Sequence, residues 1–176
     1  RRQGERNIIH NHFMPGFSAG GVNVVVAAIF IETLFVPHQA LEMALEQIEC
    51  LHQEMKENPG EFRLCRTYQE IEAAMAADEV AILLSLEGAA PINGNLSMLG
   101  IFRQLGVRLL GPAWARRNAA CDGSTLVDDD MSSAGGLTPF GVELVKEAHH
   151  LGMILDVSHL NDKGVIDLFK VCEGPV

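Results

Sequence analysis

Residues 138–159, TPFGVELVKEAHHLGMILDVSH, decide the fold class, because they contain one complete helix followed by one complete strand. Thr138 can cap a helix, and Pro139 suits the first helical position, where no backbone N–H is needed. Gly152 ends the helix. The mainly apolar stretch 153–157 then predicts a buried strand. A helix that leads directly into such a strand is the unit of an α/β protein with a parallel sheet.

The same alternation extends along the whole chain. Strands are predicted at 22–31, 80–86, 107–110 and 153–157, with another beginning at Pro175. Helices are predicted at 38–58, 67–75, 96–105, 138–151 and 161–171, with N-caps Thr67, Asn95, Thr138 and Asn161. Periodicity leaves open a doubly wound sheet and an eight-stranded barrel. No strand is followed by G-x-G-x-x-G or a P-loop, so the main support for nucleotide binding is missing.

Composition and charge narrow the classes of partner. The 176 residues are 48% hydrophobic and carry a formal net charge of −10, which argues against nucleic acid and anionic membranes. The longest apolar run, 24–31, is far short of the ~18 residues of a membrane span. Cys50, Cys65, Cys121 and Cys172 lack metal-site or disulfide spacing. They are interpreted as ordinary thiols, and a cytoplasmic location is expected.

Two predicted strands end in residues that can bind a metal. Glu87 follows the strand at 80–86, and His159 follows the strand at 153–157. In a barrel the carboxyl ends of the strands form the active-site face, where a carboxylate and an imidazole would suit zinc. The alternative is a helix-capping Glu and a loop His. The acidic run 128–130 is interpreted as a solvated loop.

Several motifs resemble the membrane-dipeptidase (renal dipeptidase) family, metallopeptidase family M19. Residues 84–88, LSLEG, resemble its strand-end E-G motif. Residues 135–141, GGLTPFG, and 151–159, LGMILDVSH, resemble its G-L-T-x-F-G and L-G-x-x-x-D-x-S-H block. Residues 20–22, GGV, and 105–108, LGVR, also match. The resemblance therefore covers nearly the whole chain, in order and with compatible spacings.

This resemblance implies a (β/α)₈ TIM-type barrel of the metal-dependent hydrolase kind. Residues 1–176 would be one incomplete barrel domain with strands 2 to 5 and the start of strand 6, lacking the first strand and the C-terminal half. Glu87 would bridge two zinc ions, and His159 would bind one of them. As ligands of one metal, the two side chains should lie at the same end of neighbouring parallel strands and face inward together, and strand alternation places Ser85 and Val157 on the same inward faces. The family's other metal ligands would lie outside this segment. The segment alone is therefore expected to be inactive and to bind at most one metal weakly.

The implied function is a zinc-dependent dipeptidase that hydrolyses dipeptides or related small amides through a hydroxide bridging two metals. Whether the protein forms a homodimer is left open. One alternative is another TIM-barrel amidohydrolase, with His10 and His12 in its site. The other is a non-catalytic barrel with a degraded site. His10 and His12 are interpreted as part of a linking segment, because Pro15 and Gly16 follow them instead of a helix.

Residues after the strand at 107–110 are expected to shape the substrate pocket. Trp114 occupies the position at which better-known family members carry a substrate-contacting His. An indole N–H can donate a hydrogen bond but cannot accept one or titrate, so the resemblance to the dipeptide site is weakest here. The other candidate pocket residues are Arg116, Arg117, Asn118 and Asp122.

Overall fold

The computed structural model of the chain describes residues 5–124 and 135–176 and contains a parallel sheet with flanking helices. The strands are β1 (Val24–Phe30), β2 (Phe62–Leu64), β3 (Val80–Glu87), β4 (Val107–Gly111) and β5 (Ile154–Leu155). The helices are α1 (Met14–Gly20), α2 (Ala40–Glu57), α3 (Tyr68–Ala76), α4 (Ser97–Leu105), α5 (Pro139–His150) and α6 (Asp162–Val171). The acidic run 128–130 lies outside the described residues.

Strand order separates the two architectures that periodicity left open. The path runs β1-β3-β4-β5 with every pair parallel, and β2 pairs only with the start of β3. A doubly wound sheet reverses its order at a switch point, whereas a (β/α) barrel adds each strand beside the previous one. The observed order is that of a barrel. The sequence did not predict β2, since three residues are too few to show a period.

The two faces of the sheet differ in burial. Leu84, Leu86 and Leu110 belong to the hydrophobic core that the helices cover. On the opposite face, Val26 of β1 is 51% exposed and Ile154 of β5 is 40% exposed. In a (β/α) barrel this second face lines the interior, where side chains from all the strands pack against one another.

Three of the five predicted helices have the N-cap residue that was predicted, and each of the five begins one or two residues after the start of its predicted range. The side chains of Thr67, Thr138 and Asn161 each accept a hydrogen bond from the backbone N–H three residues later, as an N-cap should. The prediction for Asn95 was wrong, because α4 begins later and Leu96 is its N-cap. Asn95 instead accepts from the amide two residues on. Within the described ranges, no helix is both long and apolar enough to cross a bilayer.

The segment before β1 is helical. The expectation that Pro15 and Gly16 follow His10 and His12 in place of a helix was therefore wrong. A π-helical turn, Ile9–Phe13, leads directly into α1. Pro15 lies in the first turn of α1, where its missing N–H costs no hydrogen bond. The carboxylate of Glu54 on α2 accepts from the amides of Ile8 and Ile9, at 2.9 and 2.8 Å. A negative charge on these unpaired amides stabilises the start of a helix.

The last strand is shorter than predicted. Only Ile154 and Leu155 pair with β4, whereas 153–157 had been expected. The Leu155 N–H donates to the carbonyl of Pro175 at 3.3 Å, while the following amide, of Asp156, donates to Leu110 of β4. Since successive amides of a strand point to opposite sides, Pro175 lies on the far side of β5 from β4. That is where the expected next strand would begin.

Candidate active site

Glu87 and His159 contact each other at the carboxyl end of the sheet. Glu87 is the last residue of β3, and His159 lies shortly after β5. The His159 Nε2 atom is 2.9 Å from a Glu87 carboxylate oxygen. The His159 side chain is 37% exposed and the Glu87 side chain 25% exposed. The sequence-based expectation that they meet at one end of the sheet agrees with this distance.

The contact spans an intervening strand. The expectation that the two residues follow neighbouring strands was wrong, because β4 lies between β3 and β5. With strands about 4.8 Å apart, β3 and β5 are separated by roughly 10 Å, and the chain after β5 and the two side chains together span this gap. Gly111 of β4 is in register with Glu87. Because Gly111 has no side chain, nothing from β4 stands between Glu87 and His159.

A turn, and not strand alternation, brings His159 to Glu87. Alternation predicted that Val157 and His159 share an inward face, but the strand ends at Leu155. The carboxylate of Asp156 then accepts from both the backbone N–H and the hydroxyl of Ser158, at 2.9 and 2.5 Å. An Asp side chain that bonds the backbone two residues on forms a local turn. The D-x-S-H sequence therefore turns the chain toward the site.

Trp114 forms a wall beside this contact. Its ring centroid is 5.9 Å from that of His159 and 4.7 Å from that of Phe30, at the end of β1. Both separations lie in the range of favourable aromatic pairs. The sequence analysis did not single out Phe30. The sequence offered only its place near the end of the predicted strand 22–31, whereas its register with Glu87 comes from strand pairing.

Arg116 joins the loop after β4 to the end of β1. Its guanidinium donates to the Ile31 carbonyl at 2.6 Å and to the Thr33 hydroxyl at 3.1 Å. The central guanidinium carbon lies 5.8 Å from the Phe30 ring centroid and 5.7 Å from that of Trp114. Both distances are within the reach of a cation–π interaction.

The remaining predicted pocket residues bind within their own loop. Arg117 lies 3.2 Å from an Asp122 carboxylate oxygen. The Asn118 side chain donates to the Pro112 carbonyl at 2.8 Å and accepts from the Ala120 amide at 2.7 Å. These contacts shape the loop that carries Trp114. A direct role of Arg117, Asn118 and Asp122 in substrate binding stays a prediction.

Cys121 lies within the same loop as a buried thiol. Its Sγ atom donates to the Asp122 carbonyl at 3.3 Å. Burial, assisted by the Asp122 charge, raises the pKa of Cys121 to about 11. Because the thiolate is the reactive form, Cys121 is inert at neutral pH. It packs against Gly164 of α6, where an added Cβ would lie only 2.8 Å from the sulfur.

His10 and His12 lie far from Glu87. The His10 Nδ1 atom is 2.7 Å from a Glu61 carboxylate oxygen, and the Glu61 carbonyl accepts from the amide of Val80, the first residue of β3. Glu87 is at the other end of that strand, about 23 Å away at ~3.3 Å per residue. His12 pairs with Glu5 at 2.5 Å. No single metal can therefore join either histidine to Glu87.

The family model described as membrane dipeptidase, peptidase family M19, matches residues 7–176. The chain belongs to this family. Among solved structures, a metallo peptidase from Rhodobacter sphaeroides, liganded with a phosphinate mimic of the dipeptide L-Ala-D-Ala, has a TM-score of 0.84 and 28% sequence identity. The match covers 92% of this chain and 53% of that one. Together with the strand order, this likeness shows the TIM-barrel fold of the M19 dipeptidases.

Curated relatives of this M19 chain include dipeptidases. Dipeptidase 3 of Homo sapiens is 28% identical over an alignment of 192 residues. The alignment covers 99% of this chain and 37% of the human protein. Dipeptidase tcpJ of Claviceps purpurea is 28% identical over 80% of this chain and 32% of its own length. The chain thus spans between about a third and a half of the curated relatives it matches first.

The donor set of this M19 chain fits zinc chemistry in part. A carboxylate oxygen and an imidazole nitrogen are both zinc ligands. Within residues 5–124 and 135–176, no group of three or more His, Cys, Asp or Glu side chains could hold a metal. Glu87 and His159 therefore supply two donors, and a complete coordination shell needs others.

Proposed function

We propose that the full-length protein is a metal-dependent dipeptidase in which Glu87 and His159 are metal ligands. The 2.9 Å contact between these side chains, at the carboxyl ends of parallel strands, is the observation that carries this proposal. Two ligands of one tetrahedral zinc lie about 3.3–3.6 Å apart at bond lengths of ~2.0–2.2 Å. The two atoms would thus need to separate by less than about 1 Å to bind one ion.

Glu87 is the proposed bridging ligand, since each of its two oxygens can bind a different ion. His159 would bind one of the two ions through Nε2. Two zinc ions would supply a bridging hydroxide as nucleophile and would polarise the peptide carbonyl. In this arrangement the Asp156 turn orients the loop that carries His159, and such supporting contacts matter to metal affinity. The Trp114 wall would contact the dipeptide by apolar packing or by donation from its indole N–H.

The remaining metal ligands and strands are proposed to lie in sequence outside residues 1–176. The length of the Rhodobacter sphaeroides chain supports this, because only 53% of it is matched. Residues 1–176 would then be part of one barrel domain and inactive alone. Cytoplasmic residence is also proposed, and the free state of Cys50, Cys65, Cys121 and Cys172 supports it.

Metal content and hydrolysis of the full-length protein test the proposal. Wild type should bind about two divalent metals per chain and release amino acids from L-L or L-D dipeptides. Glu87→Gln and His159→Asn should each lose metal, with activity falling at least about a hundredfold. Glu49→Gln, an exposed change on α2, is the matched control. A protein that binds no metal, or variants that keep both metals and activity, would favour the non-catalytic barrel.

A further inference from the structure

The guanidinium of Arg116 is held at several points around the site wall. It donates to the Ile31 carbonyl and the Thr33 hydroxyl at the end of β1, and it lies near two aromatic rings. Within the described ranges, no carboxylate lies within 4.0 Å of it. Its neighbours are therefore neutral acceptors and π faces, which fix its position without cancelling its charge.

Trp114 is the side chain that this guanidinium fixes. The indole packs against the rings of Phe30 and His159 in tilted arrangements, with centroid separations of 4.7 and 5.9 Å. Trp114 is half-buried, so contacts beyond the hydrophobic core contribute to holding the indole in its rotamer. The Arg116 guanidinium lies 5.7 Å from the indole centroid and is tied to a different strand end. It thus lies over the indole ring while being anchored outside the loop that carries Trp114.

We propose that Arg116 is a positioning residue for substrate binding, which holds Trp114 in the wall beside His159. The inference rests on the proposed dipeptidase function. Arg116 would not touch the reacting atoms. It would set the shape of the pocket before substrate enters, so that its loss weakens binding of the substrate and of the transition state equally. Such a change raises KM and leaves kcat nearly constant.

The test uses the full-length protein labelled with 5-fluorotryptophan and observed by ¹⁹F NMR. The Trp114 resonance is assigned by its loss in Trp114→Phe. In Arg116→Ala it should shift and broaden, and KM for a cleaved dipeptide should rise about tenfold, with kcat within about twofold. Arg116→Lys keeps the charge but not the two-point contact, and it should give an intermediate KM. Arg63→Ala removes an arginine that binds Glu79 near the opposite end of β3 and serves as the control.

An Arg116→Ala resonance that coincides with wild type would overturn the proposal. So would an equal rise in KM in Arg63→Ala, or a fall in kcat at constant KM. The failure of the dipeptidase function is a separate result. A full-length protein that hydrolyses no dipeptide refutes that function, whereas the Trp114 resonance still tests the Arg116 contact, and a shift confined to Arg116→Ala supports it.

Discussion

Gly111 offers the sharpest test of how Glu87 and His159 meet. The two side chains meet across the roughly 10 Å that separate β3 from β5, and Gly111 lies on the strand between these two. A Cβ added at Gly111 would come no closer than 3.5 Å to any other atom. Gly111→Ala should therefore be tolerated. Because alanine restricts the unfolded chain, we expect a change in unfolding free energy of less than about 1 kcal/mol.

Gly111→Leu should behave differently. Beyond Cβ, the leucine side chain would extend along the inner face into the Glu87–His159 contact, which is only 2.9 Å long. Carbon atoms keep about 3.5–4.0 Å from their neighbours, so the leucine must push the two side chains apart. Loss of a supporting contact alone lowers metal affinity about 10- to 100-fold. We expect Gly111→Leu to lose at least that much.

Zinc affinity of the full-length protein can be measured by competition with a chromogenic chelator, and folding can be checked by circular dichroism and thermal unfolding. Gly111→Ala is the matched control at the same backbone position. If folded Gly111→Leu binds zinc within about twofold of wild type, Glu87 and His159 do not meet over β4 in the metal-bound protein.

Three further predictions concern other parts of the chain. Glu54→Ala removes the hydrogen bonds from the Ile8 and Ile9 amides, and at roughly 1.5–3 kcal/mol each it should lower the free energy of urea unfolding by about 3 kcal/mol or more. Iodoacetamide at pH 8 should label Cys50 but not Cys121 in mass spectra, because a pKa of about 11 leaves Cys121 almost wholly protonated. The double variant His10→Asn, His12→Asn should keep metal content and hydrolysis within about twofold, since neither side chain can reach Glu87.

Each of these predictions has a contradicting result. A Glu54→Ala protein as stable as the Glu49→Gln control would show that the Glu54 carboxylate does not stabilise the start of the N-terminal helix. Labelling of Cys121 at the rate of Cys50 would contradict its burial. Metal loss in the double histidine variant would show that His10 and His12 belong to the metal site and would favour the amidohydrolase alternative.

Long elements with local signals were predictable from the sequence. Thr67, Thr138 and Asn161 each accept a hydrogen bond from a backbone N–H three residues later. The helix starts that they cap can therefore be predicted without knowing the rest of the fold. The short strand β2 carries too few residues to show a period, and β5 was predicted at 153–157 but is shorter, because the Asp156 turn begins directly after Leu155. The N-terminal helix depends on Glu54, more than forty residues away, and no local rule could include that contact.

The part of the candidate site that lies at strand ends was predictable from the sequence. Glu87 and His159 follow apolar runs, and parallel strands bring their carboxyl ends to one edge. The intervening position of β4, the clearance at Gly111 and the Asp156 turn all depend on strand order and register. Phe30 was missed for the same reason, since only pairing shows that it lies beside Glu87.

The reach of Glu87 and His159 across β4 has a consequence for how such a site can diverge. On the proposed assignment, β3 and β5 supply the metal donors, whereas β1 and the loop after β4 supply the wall through Phe30 and Trp114. Alternate strands of the sheet thus supply the metal ligands and the pocket wall. A substitution at Trp114 would change the pocket wall, and with it the substrates that bind, but would leave the proposed metal ligands in place. Relatives with different substrates can then arise by a single substitution.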